Sequence, residues 1–93
     1  MKKEERHHYA RLVMMGCIVC RRELYGYSIP EIHHLRNGAG MGQKSHWSRA
    51  IPLCHAHHRT GGHGVAIHAG AIAFAANYGS ELELLEATTE SLK

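Results

Sequence analysis

The stretch "IPLCHAHHRTGGHG", residues 51–64, places one cysteine and four histidines among three glycines. So many sulfur and imidazole donors in one short segment indicate metal binding. Two interpretations compete: a single zinc knuckle surrounded by incidental histidines, or two metal sites built back to back. The rest of the chain has to decide between them.

The size of the chain favours a structural metal. A domain of 93 residues buries only about 60 to 65% of its unfolded surface, so its hydrophobic core alone gives marginal stability. Three cysteines cannot all pair with one another, and the first residues do not read as a secretory signal. We therefore expect a metal in a reducing cytoplasm rather than disulfides.

Charge and hydropathy restrict the partners. No apolar run approaches the roughly 20 residues that would span a bilayer, so no membrane association is expected. The formal charge is +3, with ten of the eleven basic residues before residue 60 and half of the acidic residues after residue 80. A basic face beside an acidic tail points weakly to a polyanionic partner.

The pattern of breakers and apolar residues predicts one α+β domain over 1–93. A first helix over 4–15 should end at Gly16, which sits where a left-handed helix stop belongs. A short strand should begin near Pro30, and "AIPLC" should return as its hairpin partner after a long glycine-rich loop. A helix interrupted by glycines, a helix over 65–78 and a last helix should follow. Ser80 and Glu83 have capping-box spacing for the last of these.

The cysteines predict a closed metal site. "CIVC" supplies Cys17 and Cys20, and "CHAH" supplies Cys54 and His57 at the same two-residue spacing. Two such pairs can converge on one tetrahedral zinc ion. Buried free thiols or a redox pair are the alternatives, but a redox pair does not require a second knuckle of matching spacing. Four protein ligands would leave this zinc a purely structural role.

Further histidines remain once His57 is assigned. His58 follows it directly, and the first predicted strand carries His33 and His34. Adjacent residues of a helix point in directions about 100° apart, so His57 can face the cysteines while His58 faces the hairpin. One helical turn can therefore serve two sites.

The run "IHHLRNGAGMGQKS...IPLCHAHHRTGGHGVAIHAG" resembles the HNH, or ββα-metal, endonucleases of the zinc-knuckle type found in phages and prophages. It is most similar to the phage recombination-enhancement (Ref-like) nucleases that act with RecA filaments. The resemblance covers residues 15–80, the core of the domain. It implies a ββα-metal fold with a treble-clef-like zinc knuckle, a DNA substrate, and phosphodiester hydrolysis directed by a RecA filament.

The resemblance also implies roles for individual histidines. His34 matches the general base, and His33 and His58 match ligands of a catalytic cation. His68 is the preferred last ligand and His63 is the alternative. On an unbroken helix His58 and His68 would lie about 15 Å apart, so the glycines must break the helix if His68 is a ligand.

Two further expectations follow from the resemblance. HNH enzymes often carry an asparagine that orients the base, but this chain has Arg49 at that spacing. His46, Ser48 or a backbone carbonyl would then have to hold His34. The second cation would be Mg²⁺, Mn²⁺ or Zn²⁺, beside the structural Zn²⁺.

Basic residues flank the proposed site in the sequence. Arg36, Lys44, Arg49 and Arg59 are expected to contact DNA phosphates without reading the base sequence. His7, His8 and His55 match no ligand spacing and are expected to face solvent. The alternative to a nuclease is a non-catalytic zinc-knuckle module that binds DNA or protein. A cation position left open beside His34 would distinguish the nuclease from that module.

Overall fold

A two-stranded antiparallel hairpin lies between helices that precede and follow it in the chain. The computed structural model describes residues 2–35 and 46–93. Its elements are α1 (Lys3–Met15), α2 (Ile18–Arg22), β1 (Pro30–His34), β2 (Ala50–Cys54), a π-helical turn (Ala56–Thr60), a 3₁₀ turn (Ile67–Ala69), α3 (Ala71–Tyr78) and α4 (Glu81–Ser91). This is the small α+β fold with a hairpin that the sequence predicts.

Gly16 ends α1 as expected. Its φ of 84° is in the left-handed region, and its N–H donates to the Leu12 carbonyl. A Cβ on Gly16 would lie 2.7 Å from the Tyr27 ring, so a larger residue fits neither the backbone conformation nor the space. The chain then turns directly into Cys17, the N-cap of α2.

The hairpin register sets the positions of the two adjacent histidines. Pro30 pairs with Cys54 at one end of the ladder, and His34 pairs with Ala50 at the other. Side chains alternate between the two faces of a strand, and accordingly His33 is buried while His34 is exposed. The register therefore assigns the two imidazoles to different surroundings.

The glycine-rich segment after β2 breaks the helix, as the sequence requires. The π-helical turn ends at Thr60, and Gly62 and Gly64 both adopt a φ of 85°. The predicted helix over 65–78 is wrong at its start, because Ala66 is extended and only the 3₁₀ turn precedes Gly70. The regular helix α3 begins at Ala71, after that glycine.

The last helix covers the hairpin. Ser80 and Glu83 form the predicted capping box, which satisfies the first N–H groups of α4. Leu84 and Thr88 are buried on its inner face, where α4 packs against α2 and β2. Ile18, Leu53 and Phe74 contribute to the same apolar core.

Candidate metal centres

Three cysteines and one histidine converge where α2, β2 and the π-helical turn meet. One ligand atom each from Cys17, Cys20, Cys54 and His57 lies within 4.8 Å of all the others. We call this group the cysteine cluster. Cys17 precedes α2 and Cys20 lies within it, Cys54 ends β2, and His57 is in the turn that follows. The cluster thus joins the segment after α1 to the hairpin.

Most separations within the cysteine cluster fit one tetrahedral ion, although Cys54 Sγ and His57 Nδ1 lie only 3.2 Å apart. Zinc–sulfur bonds of about 2.3 Å and zinc–nitrogen bonds of about 2.05 Å at tetrahedral angles place S···S pairs about 3.8 Å apart and S···N pairs about 3.6 Å apart. The Sγ atoms of Cys20 and Cys54 lie 3.8 Å apart. His57 Nδ1 lies 3.6 Å from the Cys20 sulfur and 3.7 Å from the Cys17 sulfur. The four residues can therefore form a zinc site.

Burial has opposite effects on the two kinds of ligand. It raises the pKa of the Cys17 thiol to about 12, so a bound cation would have to stabilise the thiolate form. It lowers the pKa of His57, which favours the neutral imidazole that binds metal. The N–H of Cys20 donates to the Cys17 sulfur over 3.4 Å, a contact that would help to stabilise the thiolate once a cation is bound.

A second group lies on the other side of the same turn. His33, His58 and His68 place one nitrogen each within 4.8 Å of the others, and we call them the histidine cluster. His33 Nδ1 lies 3.3 Å from His58 Nε2, and His68 Nε2 lies 3.0 Å from the same atom. Nitrogens bound to one ion at about 2.05 Å would lie about 2.9 Å apart at right angles and about 3.4 Å apart at tetrahedral angles.

Carboxylates occupy the opposite nitrogens of two of these rings. Glu81 Oε2 lies 2.8 Å from His33 Nε2, and Glu31 Oε1 lies 2.6 Å from His58 Nδ1. A neutral imidazole that donates one N–H to a carboxylate has a lone pair on its other nitrogen. In these neutral rings His33 Nδ1 and His58 Nε2 present facing lone pairs, which a bound cation would stabilise.

Glu31 is held as a carboxylate by its neighbours. The Arg59 guanidinium, which hydrogen-bonds to it, and His58 together lower the pKa of Glu31 to about 2. Burial lowers the pKa of His33, against the opposing effect of Glu81. Burial therefore favours the neutral form of His33, whose free nitrogen can bind a metal, and the Glu31 carboxylate serves as the hydrogen-bond acceptor for His58.

The two clusters differ in the number of ligands. Within residues 2–35 and 46–93, the cysteine cluster has four candidate ligands and the histidine cluster has three. A four-coordinate ion in the histidine cluster would therefore have one position left for a non-protein ligand. His63 is outside the cluster and lies beside Gly70, whereas His68 reaches it from the 3₁₀ turn.

His34 is exposed and contacts the first helix. The Tyr9 hydroxyl lies 3.0 Å from His34 Nε2, and the two rings meet edge to face. His46 and Ser48, which were expected to hold His34, contact each other instead: His46 Nδ1 lies 2.7 Å from Ser48 Oγ. The side chain that contacts His34 therefore belongs to Tyr9 of α1. The sequence did not indicate this contact.

The remaining residues singled out in the sequence have varied surroundings. Arg59 pairs with Glu31 and stays more than half exposed, and Arg49 is half-buried. Arg36, Lys44 and the glycine-rich loop at 36–45 lie outside the described residues. His7 is exposed as expected, and His55 is exposed but pairs with Glu31. His8 is instead half-buried against Trp47.

Sequence reasoning missed three residues that contact the candidate site. Glu31 and Glu81 orient ligands that lie 27 and 48 residues away along the chain, and Tyr9 lies 25 residues from His34. The only local signal was the place of Glu31 two residues before His33, on the same strand.

The fold and these clusters define a small α+β domain with a four-residue site that could hold zinc and a second group of histidines that could hold a metal ion. The model of the "Recombination enhancement, RecA-dependent nuclease" family matches residues 2–93. The chain therefore belongs to this family, whose description names nucleases involved in recombination. Comparison with curated proteins and with solved structures gave no significant match.

Within the described parts of the chain, no helix has both the length and the apolar character needed to cross a bilayer.

Proposed function

We propose that the chain is a metal-dependent DNA endonuclease of the HNH type that hydrolyses phosphodiester bonds. The observation that carries the proposal is the difference between the two clusters. The cysteine cluster has the four ligands of a closed structural zinc site, whereas three neutral imidazoles leave an ion a position for substrate or water. A binding module would not need that open position.

In this proposal His34 is the general base. A neutral imidazole can take a proton from water near neutral pH, and the exposure of His34 gives water access to it. The water oxygen attacks phosphorus, the bond from phosphorus to the 3′ oxygen breaks, and solvent protonates the departing oxygen. When bound by His33, His58 and His68, a divalent cation would stabilise the negative charge on the phosphate and the leaving group.

Carboxylates support the proposed cation site. Glu81 fixes the orientation and tautomer of His33, and Glu31 does the same for His58. Outer carboxylates of this kind commonly orient metal-binding histidines. Three imidazoles bind Zn²⁺ more tightly than Mg²⁺, which prefers oxygen, so the ion found after purification need not be the one that supports cleavage.

DNA and a RecA filament are the proposed partners, in keeping with the family description. Arg36, Lys44, Arg49 and Arg59 would contact phosphates, and the enzyme would act in the cytoplasm of a bacterial host as a phage or prophage product. Arg59 has a second role in this proposal, because it also holds Glu31 in place.

Cleavage of RecA-coated and free DNA with Mg²⁺, Mn²⁺ or Zn²⁺, each compared with EDTA, tests the proposal. We expect metal-dependent nicking by the wild type and none by His68→Ala. His63→Ala is the matched control, because it removes a nearby histidine that lies outside the cluster. Cleavage that persists in EDTA, or that is lost in the control but not in His68→Ala, would contradict the proposed site.

The second candidate is the non-catalytic zinc-knuckle module. The closed cysteine cluster alone is compatible with it, since four-ligand zinc sites hold many binding modules together. A wild type that binds DNA or the RecA filament but cleaves under none of these conditions would favour this function.

A further inference from the structure

Two aromatic rings lie stacked in the turn that leads into β2. The ring centroids of His46 and Trp47 are 4.8 Å apart, and the ring planes differ by 34°. Ser48 holds the His46 ring in place, because its N–H donates to Nδ1 over 3.2 Å and its Oγ lies 2.7 Å from the same nitrogen. His46 is exposed and Trp47 is half-buried. The pair, which we call the ring pair, therefore presents an ordered aromatic surface to solvent.

The ring pair is anchored to the rest of the fold. Trp47 packs against His8 of α1, with ring centroids 5.2 Å apart. The Arg49 N–H donates to the His46 carbonyl over 2.9 Å and closes the turn. The rings are thus fixed before any ligand arrives, which reduces the entropy that binding would cost.

The ring pair lies beside His34, the proposed base. Tyr9 is the neighbour of His8 on α1, and its ring contacts the ring of His34. The hairpin brings the same groups together, because His34 pairs with Ala50, which directly follows the turn. A nucleotide held on the ring pair would therefore lie next to the phosphate that His34 is proposed to serve.

We propose that His46 and Trp47 form a stacking site for one unpaired nucleobase of the DNA strand that is cut. The inference rests on the proposed function, in which His34 activates the water that attacks a phosphodiester. Every nucleobase has a π face that can stack on an aromatic side chain, whereas in a duplex neighbouring bases cover these faces. The site would therefore favour strands that are single or locally opened, whatever their base sequence.

A stacking site would add a preference that phosphate contacts do not give. Basic side chains bind the backbone of any strand, and Arg49, one of the proposed phosphate contacts, is in the same turn as the ring pair. Base and backbone of one nucleotide would then be held by neighbouring residues. Removing the bases while keeping the phosphates separates the two contributions.

The fluorescence of Trp47 gives a direct test, because Trp47 is the only tryptophan of the chain. The protein, with no divalent cation added, is titrated with a short oligothymidylate, with an abasic strand of equal phosphate number, and with a duplex. We expect the oligothymidylate to quench the fluorescence and to bind about 5- to 150-fold more tightly than the abasic strand, the range that one stacked base supplies. The duplex should quench much less. Equal affinity for the base-bearing and abasic strands overturns the inference.

Variants separate stacking from packing, with affinities measured by the anisotropy of a labelled strand. Trp47→Phe keeps a ring and should bind the oligothymidylate nearly as well as the wild type, whereas Trp47→Leu and His46→Ala should lose most of the preference over the abasic strand. Tyr25→Leu is the matched control, because it removes a ring that is 69% exposed outside this turn. His46→Ala removes an exposed side chain, so it decides the question if Trp47→Leu fails to fold. A wild-type preference in a folded His46→Ala or Trp47→Leu protein overturns the inference.

Binding and cleavage can fail independently. A protein that binds the oligothymidylate through the ring pair but cleaves no DNA would refute the proposed function and support the stacking site. A protein that cleaves DNA but binds base-bearing and abasic strands equally would refute the stacking site and leave the proposed function standing.

Discussion

Removing one ligand from the cysteine cluster should unfold the protein. Cys20→Ala deletes a thiolate that lies 3.8 Å from the Cys54 sulfur and 3.6 Å from His57 Nδ1. Three ligands then remain at a site whose separations fit four-coordinate zinc. The cluster also joins α2 to β2 and the π-helical turn, so its loss disconnects the segment that follows α1 from the hairpin.

The magnitude follows from the size of the domain. A chain of 93 residues has a total free energy of unfolding of about 5 to 14 kcal/mol. Binding of a structural zinc ion contributes about 10 to 16 kcal/mol in small zinc domains near neutral pH. The zinc contribution is about as large as the whole stability, so a variant unable to hold the ion should be unfolded or molten at 25 °C.

The assay compares zinc content by mass spectrometry with near-UV and far-UV circular dichroism. His58→Ala is the matched control, because it removes a histidine from the same turn but from the other cluster. We expect Cys20→Ala to lose zinc and tertiary structure, and His58→Ala to retain both the structural zinc and the fold. A zinc-free Cys20→Ala protein that is well folded, with an unchanged Tm, would refute the reasoning.

Three further predictions concern the histidine cluster, a helix cap and the proposed phosphate contacts. Glu31→Ala should weaken metal binding by the histidine cluster about 10- to 100-fold in a competition with a chelator, because the oriented tautomer of one ligand is lost; unchanged affinity would contradict this role. Ser80→Ala should cost about 1 kcal/mol and lower the Tm by about 4 to 8 °C, and an unchanged melting curve would show that the cap is dispensable. Arg49→Gln and Arg59→Gln should each reduce the slope of log K for DNA against log[salt] by about 0.9. Lys93→Gln is the control and should leave the slope unchanged. Slopes equal to that of the wild type in all three variants would exclude the phosphate contacts.

The cysteine spacing and the breakers predicted most of the fold. Cys17 and Cys20 follow the first helix, and Cys54 ends the second strand. A hairpin between them brings all three cysteines to one metal ion. Gly16 and the capping box at Ser80 mark their helix ends by local chemistry, which a sequence carries directly. The start of α3 was missed because the alanine-rich run around His68 has helical composition, and Gly70 breaks the helix inside it.

The supporting shell of the site could not be predicted in the same way. Glu31, Glu81 and Tyr9 reach their histidines across 25 to 48 residues of chain, and carboxylates are common on any surface. Their partners depend on how α1 and α4 pack on the hairpin, which no local pattern encodes. His33 and His58 were singled out through the resemblance to HNH nucleases, which carries ligand positions over residue by residue.

The single-turnover cleavage rate of His34→Ala on RecA-coated DNA, at verified metal content, tests most directly whether His34 is the proposed base beside a separate metal site. We expect the rate to fall about 10²- to 10⁴-fold while the fold and the second cation are retained, because His34 lies outside the histidine cluster. Cleavage at the wild-type rate, or loss of the cation from His34→Ala while His33→Ala keeps it, would contradict the assignment.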